Sequence, residues 1–148
     1  MKIKDCMTNR VGWCTTNDKV YKAVNIMSEC EVGCVPICDH ENKVVGIVTD
    51  RDILLRCVHC EKDVKTTPVT EIMTTKVCCC NENDEIDYAE KCMSDMQVRR
   101  IPVINDGKLV GMLSLGDLAH NNTKIGRNDV CQTLENICDC GSDKKNAK

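Results

Sequence analysis

At 148 residues and a formal net charge of −3, the chain is long enough for one compact domain with a buried core, and it carries no basic surplus suited to nucleic acid. It has no Phe, one Trp and two Tyr, so the stacking platforms of single-strand binders are missing, and no segment approaches the roughly 20 apolar residues of a membrane span. The start, Met1-Lys2-Ile3-Lys4-Asp5-Cys6, lacks the apolar stretch of a signal peptide, so a cytoplasmic location is expected and the 14 cysteines read as reduced, small apolar residues rather than a disulfide framework.

In chain order, a short strand is expected at 11–14, then a turn or cap cluster, Thr15-Thr16-Asn17. Val20, Ala23, Val24 and Met27 follow at helical spacing. The apolar run 35–38 contains an X-Pro step that favours extended backbone, and the polar turn Asp39-His40-Glu41-Asn42 leads to a second run at 44–48, which predicts a hairpin. A second helix is predicted over 50–58. The polar stretch 61–70, with Pro68, is a linker. The same series then recurs: strand at 77–80, cluster Asn81-Glu82-Asn83, helix through Ile86, Ala89, Met93 and Met96, runs at 101–104 and 109–113 around Asn105-Asp106-Gly107, and a helix from 115 to about 121. After Gly126 the residues Val130, Leu134 and Ile137 suit one more amphipathic helix, and 141–148 reads as a frayed tail.

The recurrence is an internal repeat. Asp18 to Asp52 returns, one residue shorter, as Asp84 to Asp117: Val35-Pro36-Ile37 as Ile101-Pro102-Val103, Gly46-Ile47-Val48-Thr49 as Gly111-Met112-Leu113-Ser114, and Met7-Thr8 returns as Met73-Thr74. Units of roughly 60 residues are marginal alone, so two β-α-β-β-α repeats sharing one core, an α+β fold, are expected. The expected boundaries are 5–64, 71–126 and a C-terminal 127–148.

The most informative segment is Gly46-Ile47-Val48-Thr49-Asp50-Arg51-Asp52, echoed by Gly111 to Asp117. Thr49 with Asp52, and Ser114 with Asp117, match a helix capping box, which accounts for both pairs without any ligand. A glycine inside an apolar strand also permits close approach to the backbone, a helix start suits phosphate, and a carboxylate one turn in can accept hydrogen bonds from a ribose diol. Gly, Thr and Asp together can therefore hold the sugar and phosphate of a nucleotide.

Repeat, spacing and motif together closely resemble a tandem pair of CBS domains, the modules named after cystathionine β-synthase. The resemblance spans roughly residues 5–125 and rests on Asp5-Cys6-Met7-Thr8, Val35-Pro36-Ile37 and Val45 to Ile53, with Glu71-Ile72-Met73-Thr74, Arg99 to Val103, and Val110 to Ser114 plus Asp117. It implies repeats related by a pseudo-two-fold axis, two clefts between them, an adenosine-containing ligand such as AMP, ADP, ATP or S-adenosylmethionine, and frequent homodimerisation. It further implies that Asp52 and Asp117 contact ribose hydroxyls, that Thr49 and Ser114 help hold phosphate, and that Arg99 and Arg100 reach the Asp52 cleft. Arg51 stands where the second copy has Gly116, and the Asp117 cleft would receive the uncharged Gly33 and Cys34, so the Asp52 cleft is expected to be the main site for an energy-sensing, regulatory module.

No nucleophile with a base and orienter is evident, and no phosphate-binding GxxxxGK[ST] loop, so no catalytic residue, cofactor or metal is assigned. In Cys78-Cys79-Cys80, alternation along a strand turns Cys79 away from its neighbours, and the run reads as apolar filling. Cys131, Cys138 and Cys140 leave open a thiol or metal sensor. A structural or partner-binding pair with empty clefts, acting on an unidentified protein partner, is the other alternative.

Overall fold

The computed structural model describes residues 1–139. The first repeat comprises β1 (Cys14–Thr15), α1 (Val20–Cys30), β2 (Cys34–Cys38), β3 (Val44–Thr49) and α2 (Asp50–Asp52), which runs on as a π-helical stretch, Ile53–Val58. The second comprises β4 (Cys80–Asn81), α3 (Ile86–Met96), β5 (Arg100–Asn105), β6 (Lys108–Ser114) and α4 (Leu115–His120), and is followed by α5 (Asn122–Ile125) and α6 (Arg127–Cys138). Each repeat forms a three-stranded sheet, ordered β1-β2-β3 and β4-β5-β6, with a parallel outer pair and an antiparallel hairpin.

The first strands are shorter than the sequence predicts and begin later. Only Cys14 and Thr15 pair with β2, opposite Ile37 and Cys38, and only Cys80 and Asn81 pair with β5. Upstream residues leave the sheet. That divergence suits the prolines: β1 does not reach Pro36, so the missing N–H sits where β2 has an open edge. The clusters Thr15-Thr16-Asn17 and Asn81-Glu82-Asn83 make turns rather than helix caps. Asp18 accepts from Thr15 N at 2.7 Å and Asp84 from Asn81 N at 2.8 Å, while the helices start after Lys19 and Glu85, which give no side-chain cap.

The leading donors of α1 and α3 are met by backbone from outside their own repeats. Val20 N donates to Thr67 O at 2.9 Å, and Ile86 N donates to Met1 O at 3.0 Å. The segment before each repeat therefore docks on the other repeat. Thr8 bridges Met112 of β6, and Thr74 bridges Ile47 of β3, each through a reciprocal pair of hydrogen bonds. Gly46 and Gly111 allow this crossing: a Cβ on Gly46 would lie 2.5 Å from Met73 Sδ, and one on Gly111 would lie 2.9 Å from the Thr8 carbonyl.

The shared core takes the form of two buried clusters, each built from both repeats. Ile3 is buried with Ile86, Met93, Ile101 and Leu113, while Val69 and Ile72 are buried with Val20, Val35, Ile37 and Val48. Neither half can bury its apolar face without the other's lead-in, which is the physical meaning of the repeat.

Helix α6 breaks the symmetry. It packs along α3 and against α4, burying Val130 and Ile137. The corresponding helices of the first repeat have no such cover among the described residues, and Leu54, Leu55 and Val58 remain 59%, 42% and 55% exposed. Within α3, Glu90 takes the stripe position that Val24 holds in α1, and it is buried against α6 with Oε1 lacking a hydrogen-bond partner among the described residues.

Candidate functional site

Two clefts lie between the repeats, and the repeat operation exchanges them. One, of about 230 Å³, is lined by Ser114 and Asp117 from the second repeat and by Arg10, Val11, Gly12 and Cys34 from the first. The other, of about 160 Å³, is lined by Thr49 and Asp52 from the first repeat and by Lys76, Val77, Cys78 and Val98 from the second. The stretches that leave the sheets ahead of β1 and β4 thus become cleft walls.

At both helix starts the capping box forms. Thr49 N donates to Asp52 Oδ2 at 3.0 Å while Asp52 N donates to Thr49 Oγ1 at 3.1 Å. Ser114 N and Oγ both donate to Asp117 Oδ2, at 2.8 and 2.7 Å, and Asp117 N donates to Ser114 Oγ at 3.1 Å. One oxygen of each carboxylate is fixed by the cap, so the carboxylate is held rigidly at the cleft wall. The two differ at the second oxygen. Asp52 Oδ1 lies 3.6 Å from Arg56, whereas neither of those Ser114 bonds uses Asp117 Oδ1.

Arg56 was not legible as a site residue. It sits in the π-helical stretch one turn after Asp52 and donates to Ile72 O at 3.0 Å and to Thr74 Oγ1 at 3.1 Å, so it ties the motif carboxylate to the crossing segment. Asp-to-Arg spacing of four residues was the available signal, and it is common on any helix.

The arginines are brought together. Arg51, Arg99 and Arg100 line a more open groove of about 490 Å³ with Gly33, Thr49 and Asp50, and this groove shares Thr49 and Arg100 with the Asp52 cleft. The Asp117 cleft is less neutral than its expected wall of Gly33 and Cys34 suggests. Cys34 does line it, but so do Arg10 and Arg100, while Gly33 lines the groove beside Asp50. Arg10 and Lys76 escaped the sequence reading because they belong to lead-ins whose exchange between repeats leaves no trace in residue identity. Gly46, read as a point of close approach for a ligand, is buried under Met73 and Thr74 instead.

Burial pushes the Cys34 thiol up to about 12, against the opposing pull of Arg100, so this wall carries no negative charge at neutral pH. Burial also raises Cys78 to about 11, with Cys92 adding to the effect. Cys78 and Cys80 both meet Cys92, although of the three cysteines in the run only Cys80 belongs to β4. All thirteen cysteines among the described residues are free thiols, and Cys131 and Cys138 are exposed on α6; Cys140 lies outside the described residues. Among the described residues no group of three His, Cys, Asp or Glu is arranged to hold a metal ion, and no helix is long and apolar enough to cross a membrane.

Paired sheets, exchanged lead-ins and twin capped clefts define a module of two CBS domains, and the CBS domain family model matches residues 3–59 and 69–122. The chain belongs to the CBS domain family. It is 36% identical over 135 residues, 91% of this chain and 94% of the relative, to the CBS domain-containing protein YhcV of Bacillus subtilis. Among solved structures it is similar to the CBS domain pair of protein MJ0100 in complex with 5′-methylthioadenosine and S-adenosyl-L-methionine, with a TM-score of 0.74, 25% identity and coverage of 84% of this chain and 98% of that one. It is likewise similar to CBSX2 in complex with AMP, with a TM-score of 0.70, 26% identity and coverage of 84% and 97%.

Proposed function

We propose that the chain is a non-catalytic regulatory module that binds an adenosine-containing ligand, AMP, ADP, ATP or S-adenosylmethionine, between its two repeats. The observation that carries this reading is the twin arrangement of a capped carboxylate, a helix-start hydroxyl and cations from the opposite repeat around one cleft. A ribose diol can bond the Asp, and a phosphate can take the cationic end and the helix-start hydroxyl. The CBS domain pair of MJ0100, in complex with 5′-methylthioadenosine and S-adenosyl-L-methionine, and CBSX2, in complex with AMP, support the ligand class.

The Asp52 side is the stronger phosphate site in this reading. Lys76 and Arg100 line its cleft, and Arg51 and Arg99 stand in the adjoining groove, against Arg10 and Arg100 at Asp117. Ligand in either cleft touches both repeats, so it favours whichever relative packing gives the better fit, and the effect is limited by the difference in affinity between packings. The output is contact with a second copy or another protein through the exposed face of the π-helical stretch after α2, where Leu54, Leu55 and Val58 lie uncovered. The test is a thermal-shift series with AMP, ATP and S-adenosylmethionine. Binding to the native state raises Tm, and no shift with any of them removes the reading.

A further inference from the structure

We propose that Arg100 is one phosphate clamp shared by both clefts, so that a phosphate-bearing ligand in one cleft weakens the other; this rests on the adenosine-ligand reading above. Three observations on the same residue carry it. First, Arg100 opens β5 directly across the ladder from Ser114, the hydroxyl residue at the Asp117 cleft. Second, its side chain lines the Asp117 cleft and the Asp52 cleft alike, and its Nη1 leans across to the first repeat, 3.6 Å from where a Cβ on Gly33 would stand. Third, its counterpart under the repeat is Cys34, which pairs with Thr49 in the same way but is buried and neutral.

A symmetric module would set one cation at each of these two equivalent places. This chain sets one guanidinium for both. Arg10 and Lys76 are private to their clefts, so each cleft keeps some attraction for phosphate when Arg100 is engaged elsewhere. A guanidinium offers its donors as a planar fork, and a phosphate that takes the fork in a bidentate manner leaves the second phosphate a poorer partner. The clefts then compete for one side chain, and by linkage each ligand weakens the other by the same factor.

The experiment is calorimetric titration of the full chain with AMP and with adenosine, using Asp117→Ala to isolate the Asp52 cleft and Asp52→Ala to isolate the Asp117 cleft. Adding Arg100→Ala should weaken AMP by about tenfold or more at both isolated clefts and leave adenosine unchanged at both. In the unmodified chain the second AMP should bind about tenfold more weakly than at the same cleft in isolation, and this gap should close in Arg100→Ala. Arg100→Gln, which keeps a long polar side chain without the charge, should repeat the pattern and guards against a folding defect. Weakening at one cleft alone, or two AMP molecules bound with their isolated affinities, overturns the shared clamp while leaving the ligand reading intact. If neither AMP nor adenosine binds the unmodified chain, the ligand reading falls and takes the clamp with it.

Discussion

Arg56 stands 3.6 Å from Asp52 Oδ1 and donates at 3.0 Å to the carbonyl of Ile72, joining the motif of the first repeat to the lead-in of the second. The bond to a carbonyl and to Thr74 matters more than the ion pair, because Arg56 is half exposed and such pairs are weakened by water. Arg56→Ala should cost roughly 1 kcal/mol, read as a Tm lower by about 2–4 °C. A double-mutant cycle with Thr74→Val should show coupling between the two positions. Additive effects would mean that Arg56 does not hold the crossing segment.

The crossing itself predicts an asymmetry between two alanine substitutions. On Gly46 the nearest obstacle to a Cβ is the flexible Met73 side chain, at 2.5 Å, with the Thr74 carbonyl at 3.2 Å. On Gly111 the Thr8 carbonyl lies at 2.9 Å, and backbone held in a bridge does not swing aside. Both substitutions should destabilise, by about 1–3 kcal/mol for overpacking, with Gly111→Ala the worse. Chemical denaturation of the two variants checks the order.

Much of this organisation is legible in the sequence because it is written twice. The repeat, the helical stripes and the hairpins around Pro36 and Pro102 follow from spacing alone. Which lead-in packs on which repeat does not, since Met7-Thr8 and Met73-Thr74 suit either partner equally well. For that reason Arg10 and Lys76 stay invisible as cleft residues, and Arg56 as the tie to the crossing segment, until the chain path is known, and Gly46 looks open to a ligand when it is covered by Met73. The charge at the Asp117 cleft is understated for a related reason: Arg100 belongs to one strand but faces two clefts.

Glu90 predicts a pH dependence. Burial raises its carboxyl pKa, and Asp129 on α6 and Asp87 on α3 push in the same direction against a hydrogen bond from Thr133. A carboxyl raised in the folded state favours folding while protonated, so its contribution is present below its unfolded value and is lost as pH rises through the folded one. Glu90→Gln should therefore raise Tm at neutral pH, with the advantage shrinking toward pH 4. An unchanged difference between the two pH values would show that Glu90 does not ionise at the α3–α6 seam.

The bare face of the first repeat predicts self-association. Leu54, Leu55 and Val58 are exposed where α6 covers the matching helices of the second repeat. Leu54→Lys together with Val58→Lys should shift the chain from dimer to monomer in light scattering without lowering Tm by more than about 2 °C, because exposed positions contribute little to the fold. A chain that is already monomeric at high concentration would show that this surface does not pair with a second copy.

In the proposed function the clefts bind an adenosine-containing ligand, with the Asp52 side dominant for phosphate. Calorimetric titration of the full chain with AMP, beside Asp52→Ala and Asp117→Ala, tests it most directly. The tighter component of binding should vanish in Asp52→Ala and persist in Asp117→Ala, even though each variant loses the carboxylate half of a capping box. Loss of the tighter component only in Asp117→Ala would reverse the choice of cleft, and no heat with AMP, ATP or S-adenosylmethionine would contradict the claim outright.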